Sequence, residues 1–439
     1  STNLNFRRLL DSAGKELTAD LDYVTYNSTN DQTLVNSYFD AVGNVTEKPD
    51  TLLGALPQNI NIYSAKMDYT HPLKKGAKFE AGLKSSIVKT DNNARYDSIT
   101  YGKMVHDFNR SNHFIYEENI NAAYVNLSGS LNKKWSGQVG LRLENTIAKG
   151  DQVTTNQNFE RSYTQLFPTG FLQYAANEKN QLGINYGRRI RRPDYQSLNP
   201  FVMFLDRYTY QQGNPNLKPQ FSHNVELRHT YKNFLTTTLN YTRTTDIIQQ
   251  VIEQNEDKNE TFVKQANIAK QRQYGVSMNV SNPFTKWWTN NFYINAFNNK
   301  FSGTVNDTFV TLSATQIVLN GSQQFKFAKK WTAEISGFYR TAGVEGVIKA
   351  KPLGQVSFGL SKQVMKNNGT VRLNIRDIFY TQKFRGESKY SNIDASFQER
   401  NDSRVVNVGF TYRFNKGKVN SQKRKNGSTA EEQSRVNIQ

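Results

Sequence analysis

The sequence predicts an all-β fold, a transmembrane antiparallel β-barrel. Three observations carry that expectation: apolar and polar residues alternate with a period of two, connections alternate between short and long, and apolar residues are too few for a conventional core. Only 36 % of the 439 residues are apolar, yet 23 are Tyr and 27 are Phe. An ordinary globular domain runs nearer half apolar. Low apolar content with high charge can signal disorder, but disordered chains are poor in aromatics. A wide barrel resolves the conflict, because it needs apolar side chains only on its outer face.

The alternation is clearest near the end of the chain. Val406, Val408, Phe410, Tyr412 and Phe414 share one face, while Asn407, Gly409, Thr411 and Arg413 share the other. Successive side chains of a strand point to opposite faces, so this stretch has one greasy face and one wet face. Val139, Leu141 and Leu143 stand in the same relation to Gln138, Gly140, Arg142 and Glu144. So do Leu182, Ile184 and Tyr186 to Gly183, Asn185 and Gly187, and Val371, Leu373 and Ile375 to Arg372, Asn374 and Arg376. A helical period fits none of them.

Short, Lys-bearing turns fall at 71–77, 132–134, 176–180, 232–233, 283–286, 328–330 and 365–369. Most are followed by an aromatic, among them Phe79, Trp135, Phe234, Trp287 and Trp331. Aromatics just inside a turn match the girdle at a membrane–water interface. Long polar connections occupy the other ends, at 91–111, 192–218, 254–260 and 386–402. Short periplasmic turns opposite long extracellular loops are the asymmetry of outer-membrane barrels. The pattern gives 16 to 17 strands within residues 1–414. An odd count cannot close an antiparallel barrel with both termini on one side, so further strands upstream are expected. Residues 415–439 lack alternation and read as a flexible polar periplasmic tail.

Other classes fit less well. No window holds the roughly 18 to 20 apolar residues of a membrane helix, which says nothing against strands. A propeller would show a regular repeat with a shared blade motif. The 56 basic against 37 acidic residues are spread along the chain rather than gathered in one helix or tract, so no nucleic-acid partner is expected. The absence of cysteine fits an oxidising periplasm without requiring it.

No catalytic constellation, phosphate loop or resident cofactor is expected. His106, Asp107 and His113 share one connection, but a metal pair there lacks the usual spacing, and Glu253–Glu260 lacks the turn glycine of a calcium loop. Charges on wet faces, including Arg142, Glu144, Glu226, Arg228, Arg372 and Arg376, are expected to pair across strands, line a pore or meet a plug.

The most specific stretch runs from Tyr163 to Tyr231: QLFPTGFLQY at 165–174, NYGRRIRRPDYQSLNPF at 185–201 and GNPNLKPQ at 213–220. It resembles the late barrel region of TonB-dependent receptors, in particular the large outer-membrane β-barrel family. Arg192 with Pro193, Leu198 with Pro200, and Gly213 through Pro219 match that family's Arg-Pro, Leu-x-Pro and Gly-Asn-Pro-x-Leu-Lys-Pro elements. The resemblance implies a barrel of 22 strands, of which this chain holds the carboxy-terminal part. It also implies an amino-terminal plug domain, absent here, and TonB acting through it. The final strand, ending at Phe414, looks like the signal read by the barrel-assembly machinery. The implied function is energy-coupled uptake of a scarce nutrient such as an iron chelate, cobalamin, an oligosaccharide or a peptide. A passive porin or surface-binding barrel is the alternative. Physically, Pro193, Pro200, Pro215 and Pro219 force the chain out of the sheet, since each lacks a ladder donor. The loop they build either braces the rim or presents Arg191, Arg192, Asp194 and Tyr195 to a small ligand.

Overall fold

The structure is a computed structural model that describes residues 1–100, 102–206, 208–305, 308–328, 330–414 and 427–436. Seventeen strands follow one another as an antiparallel meander among the described residues. In order they are β1 (Thr2–Leu9), β2 (Glu16–Phe39), β3 (Val45–Pro72), β4 (Lys78–Thr100), β5 (Asn112–Ser130), β6 (Trp135–Gln152), β7 (Gln157–Asn177), β8 (Asn180–Arg191) and β9 (Gln220–Tyr231). Then come β10 (Leu235–Asn255), β11 (Glu260–Pro283), β12 (Trp288–Val305), β13 (Thr308–Phe327), β14 (Trp331–Arg340), β15 (Leu353–Val364), β16 (Gly369–Arg376) and β17 (Val405–Tyr412). Each pairs with the next. Among the described residues β1 and β17 do not pair with each other, so the ribbon is open at that seam.

Register keeps the two faces separate across the ribbon. Ala123, Val125 and Leu127 of β5 stand opposite Leu143, Leu141 and Val139 of β6. Ile375, Leu373 and Val371 of β16 stand opposite Val406, Val408 and Phe410 of β17. These side chains form an exposed apolar band: Val408 is 75 % exposed, Phe410 57 % and Phe414 86 %. In water such a band would be an aggregation hazard, and in a bilayer it is the lipid contact. On the other face Glu118, Glu144, Thr146, Ser86 and Thr90 are buried.

The short-turn end is built as the sequence predicts. Between β9 and β10, Lys232 and Asn233 both adopt positive φ, 47° and 59°, and Phe234 N–H donates to the Tyr231 carbonyl at 3.2 Å. Two left-handed central residues match the right-handed twist of a hairpin. Aromatics gather just inside these turns. Trp135 stacks on Tyr174 with centroids 4.5 Å apart, Trp288 lies 5.9 Å from Phe325, and Lys362 sits 4.8 Å over Trp331.

The mouth end departs from the expectation of long polar loops. Between 91 and 111, β4 continues to Thr100 and Lys103–His106 folds back onto Asp97–Thr100. Between 254 and 260 the two long strands meet in a turn at 256–259. Lys383–Tyr390 and Ile393–Arg400 form a hairpin, joined by Gly343–Glu345 and Ile348–Ala350 in a separate four-stranded sheet. That sheet folds onto the ribbon. Val344, Val347, Tyr390 and Ile393 bury against Ile247, Val251, Ile268, Phe301 and Val305, and the Tyr390 hydroxyl donates to the Ile252 carbonyl at 2.7 Å. Above the membrane both faces of a strand are wet, so composition turns polar while the ladder continues.

Asp377 organises the entry to this sheet. Its carboxylate accepts from the Thr381 and Gln382 amides at 2.9 and 3.0 Å and from the Ser403 hydroxyl at 2.5 Å. Burial alone would raise its pKa, but these donors hold it below the ordinary carboxylate value.

Two predictions follow from this arrangement. Leu141→Arg, in the lipid band, should cost about 2–4 kcal/mol in urea titrations in vesicles, whereas Gln138→Arg on the opposite face should cost little. The Asp377 carboxyl binds its proton less readily folded than unfolded, so its contribution is complete above the unfolded value near pH 4 and fades as acid takes the pH through the lowered folded value. Amide protection of 383–400, corrected for intrinsic exchange rates, should therefore differ between wild type and Asp377→Asn at neutral pH. The two should converge in strong acid.

Candidate functional site: the mouth loop and the lumen beneath it

The connection between β8 and β9 drops into the lumen. Tyr195, Leu198 and Leu217 bury with Val24, Ile60, Ile62, Val88, Phe114, Tyr116 and Ala148 from the inner face of β2 to β6. A single 3-10 turn, Gln196–Leu198, carries the loop past this cluster. Gly213 is required by close approach: a Cβ there would lie 1.8 Å from the Asn199 carbonyl oxygen. The Gly-Asn-Pro stretch is lashed on both sides. Asn214 N–H donates to Ser197 at 2.7 Å and its side chain to the Gln265 carbonyl at 3.1 Å. Arg161 donates to the Leu217 carbonyl at 2.8 Å, and Asn267 both donates to and accepts from the Lys218 backbone. Thr209–Gln212 runs parallel to Thr261–Lys264 of β11.

Above the loop lies a cavity of about 400 Å³. Its walls include Gln58, Asn92, Gln196, Asn199, Gln212, Gln250 and Gln265, with Tyr96 and Phe201. Only Asp194 and Lys264 bring charge, and Lys264 is paired with Glu253. Such a wall offers many donors and acceptors and little net field.

Below the loop the chemistry is ionic. Arg192 donates to Glu144 at 2.6 Å, to Thr146 at 3.1 Å and to Glu431 at 2.7 Å. Lys84 donates to both oxygens of Glu432, at 2.8 and 3.0 Å, and Ser86 adds a bond at 2.7 Å. Arg435 pairs with Glu118, donates to the Pro193 carbonyl at 2.9 Å and lies 4.2 Å over the Tyr195 ring. Burial pushes the Tyr195 phenol above its ordinary pKa. For Arg192 burial acts downward, but Tyr163, Glu118, Glu144 and Glu431 outweigh it and strengthen its hold on the proton. Buried charges need such partners, since leaving one alone costs several kcal/mol.

Glu431, Glu432 and Arg435 belong to the region expected to be a flexible tail. Over residues 427–436 the structure differs: a short helix α1 (Ala430–Gln433) lies within the lumen, Ser428 N–H donates to Asp22 at 2.7 Å, and Val436 packs on the apolar cluster. Residues 415–426 and 437–439 of that expectation lie outside the described residues. The segment carries few apolar side chains, and wall charges hundreds of positions away hold it.

The four residues singled out in the loop fare differently. Arg191 is exposed and Asp194 lines the cavity, whereas Arg192 is 4 % exposed and Tyr195 2 %, both committed to the contacts beneath. Arg192 and Tyr195 thus tie the loop to the wall beneath it. His106 bonds Asp97 at 3.0 Å and His113 bonds Asp91 at 2.8 Å, on separate partners. No group of three metal-ligating side chains occurs among the described residues. Of the wet-face charges, Arg142 pairs with Glu144 along its own strand, Glu226 accepts from Asn224 at 2.8 Å, and Arg376 donates to the Ser403 carbonyl at 3.1 Å. Lys84, Glu118 and the cavity amides had no local signal beyond facing inward.

Arg192→Met should leave Glu144 and Glu431 with Arg142 as their shared cation and strip Glu144 of its buried partner, at a cost of about 3 kcal/mol. Urea titration of the refolded chain measures this. Arg191→Met should be close to neutral.

A sequence search among curated proteins gave no match. Solved structures share the fold at low identity. The copper transporter OprC superposes with a TM-score of 0.63 at 12 % identity, covering 94 % of this chain and 65 % of that one. The ferripyoverdine receptor of Pseudomonas aeruginosa gives 0.62 at 12 %, covering 93 % and 55 %. The siderophore receptor PiuA from Acinetobacter baumannii gives 0.61 at 12 %, covering 93 % and 63 %. The chain thus spans less than two thirds of their length. The profile of the outer membrane protein β-barrel family matches residues 8–412, nearly the whole chain, and with the apolar band and the two-faced ribbon it settles the matter: this chain belongs to that family and resides in the outer membrane.

Proposed function

We propose that this chain is the carboxy-terminal barrel portion of a TonB-dependent transporter for energy-coupled uptake of a scarce nutrient. The observation that carries the reading is the mouth loop, which folds into the lumen, is braced by its Gly-Asn-Pro stretch, and has a ligand-sized cavity on its upper side. Pockets of a few hundred Å³ are the usual size for small ligands. A passive pore has no need of a buried septum held from below by ion pairs. The open edges at β1 and β17 and the partial coverage of longer structures suit a ribbon completed by further strands. In the intact protein a plug domain would fill the lumen and transmit TonB's work, and the strand ending at Phe414 would meet the barrel-assembly machinery. Asp194, which lines the cavity, and the exposed Arg191 are the loop residues assigned to ligand in this reading. The cavity's amides favour a ligand rich in hydroxyl or amide groups, such as an oligosaccharide or peptide, over a strongly anionic chelate.

The test is uptake in cells carrying the intact gene. Accumulation of a labelled oligosaccharide or peptide mixture should collapse when a protonophore is added or TonB is removed. Entry that persists at the same rate would instead identify a passive porin.

A further inference from the structure

The seven short turns between β3 and β16 lie at 73–77, 131–134, 178–179, 232–234, 284–287, 328–330 and 365–368. Each holds at least one lysine, and the only acid in their sequence is Glu178. The turn between β1 and β2 is balanced by contrast, with Asp11 3.3 Å from Lys15. Hydrogen bonds lace neighbouring turns into one rim. The Lys134 carbonyl accepts from the Ala175 amide, Lys179 from Lys232, Trp287 from Lys326 and Lys330 from Gln363, at 2.7 to 3.0 Å. Four of the lysines hold their places against backbone preference: Lys75, Lys232, Lys330 and Lys366 have φ of 59°, 47°, 72° and 54°. Glycine or asparagine adopts that left-handed region with less strain, so turn geometry alone does not account for a lysine there.

The charge is densest between β11 and β16. Lys286, Lys330 and Lys366 stand in three successive turns, about 10 Å apart at two strand spacings. Lys362 joins them near the end of β15. All four are exposed, and none is in an ion pair among the described residues. The sequence over 282–291, 324–333 and 360–371 contains no Asp or Glu. Lys362 fixes which way this sector looks. It stands opposite Trp331, on the face that carries Ile335, 48 % exposed in the lipid band, and its ammonium lies 4.8 Å over the Trp331 ring. A cation on the lipid side, stacked on an interfacial tryptophan with its stem along apolar surface, sits at headgroup depth. Charges about one screening length apart act on an anion together.

We propose that this rim, and above all Lys286, Lys330, Lys362 and Lys366, binds the phosphate headgroups of anionic phospholipids in the periplasmic leaflet. The ammoniums donate to phosphate oxygens while Trp287 and Trp331 lie at the level of the headgroups. Cations spread over seven hairpins suit an annulus of lipid better than the compact patch of a folded partner. The inference rests on residence in the outer membrane and is independent of energy coupling and of any nutrient.

Three of the four tryptophans, Trp287, Trp288 and Trp331, lie in this sector, so with Trp135→Phe the emission of the full chain reports lipid there alone. In phosphatidylcholine vesicles, brominated phosphatidylglycerol should quench that emission with an apparent affinity about fivefold above that of brominated phosphatidylcholine, the ratio that one lysine supplies at an anionic surface. About 1 M salt should bring the ratio toward one, because the screening length falls to about 3 Å. Lys286→Gln, Lys330→Gln, Lys362→Gln and Lys366→Gln together should do the same at low salt, whereas arginine at the four positions should keep the preference. Lys258→Gln, exposed in the mouth turn at 256–259, should leave it unchanged. Equal quenching by the two lipids at low salt would overturn the proposal, and is the outcome expected if the lysines serve an acidic periplasmic protein instead. A preference that survives the four glutamines would overturn the assignment to these residues.

Discussion

Lipid offers no hydrogen bond to a peptide group, so every backbone N–H and C=O within the membrane must find its partner inside the protein. This constraint governs the molecule. It demands continuous ladders, which the meander supplies from β1 to β17, and it confines irregular backbone to the mouth, the turns and the lumen. The prolines of the mouth loop sit where the ladder has already ended. A chain so constrained spends its apolar residues on the outside, and its mean hydropathy of −0.71 belongs to a protein that is nonetheless bathed in lipid.

The inner face solves a different problem. It has too few apolar side chains for a packed core along its whole height, and it divides the work. Two apolar clusters at the mouth hold the inward-folded elements, one under the loop on the β2 to β6 side and one under the small sheet on the β10 to β12 side. Below them charge takes over. Arg192 and Arg435 are the hinges of that change, each with part of its side chain against the loop and its guanidinium on a wall carboxylate. Because the guanidinium fork can hold several acceptors in one plane, an arginine can join strand, loop and segment at a single point.

What could be read from the residues alone follows the same division. The ribbon was legible because a period of two repeats at every crossing, and Val406, Val408 and Phe410 stand outward where their pattern places them. The turns were legible because Lys232–Asn233 and their counterparts interrupt that pattern sharply. The mouth was less so. At 91–111 and 386–402 both faces meet water, alternation loses its contrast, and strands resemble loops in composition. The candidate site was half legible: the Gly-Asn-Pro stretch announced an ordered loop, but nothing local says that Arg192 and Tyr195 turn down and Asp194 turns up. The contacts of 427–436 were invisible for a plainer reason, since Glu432 and Lys84 lie 348 positions apart and pair only after the sheet has formed.

The height of the longest hairpin has a consequence of its own. At about 3.3 Å per residue, the 28 residues of β3 measure about 90 Å, while a tilted crossing of the hydrocarbon takes only about ten residues. The tip around Asp40–Asn44 thus stands well clear of the headgroups, with Val35, Phe39 and Val42 bare at its flanks. An antibody, a bacteriophage or a neighbouring cell meets that tip before it meets the cavity. Among the described residues the hydrogen bonds at the tip run within it, from the Val42 and Asn44 amides to Asp40, so its sequence can change with little effect on the loop below.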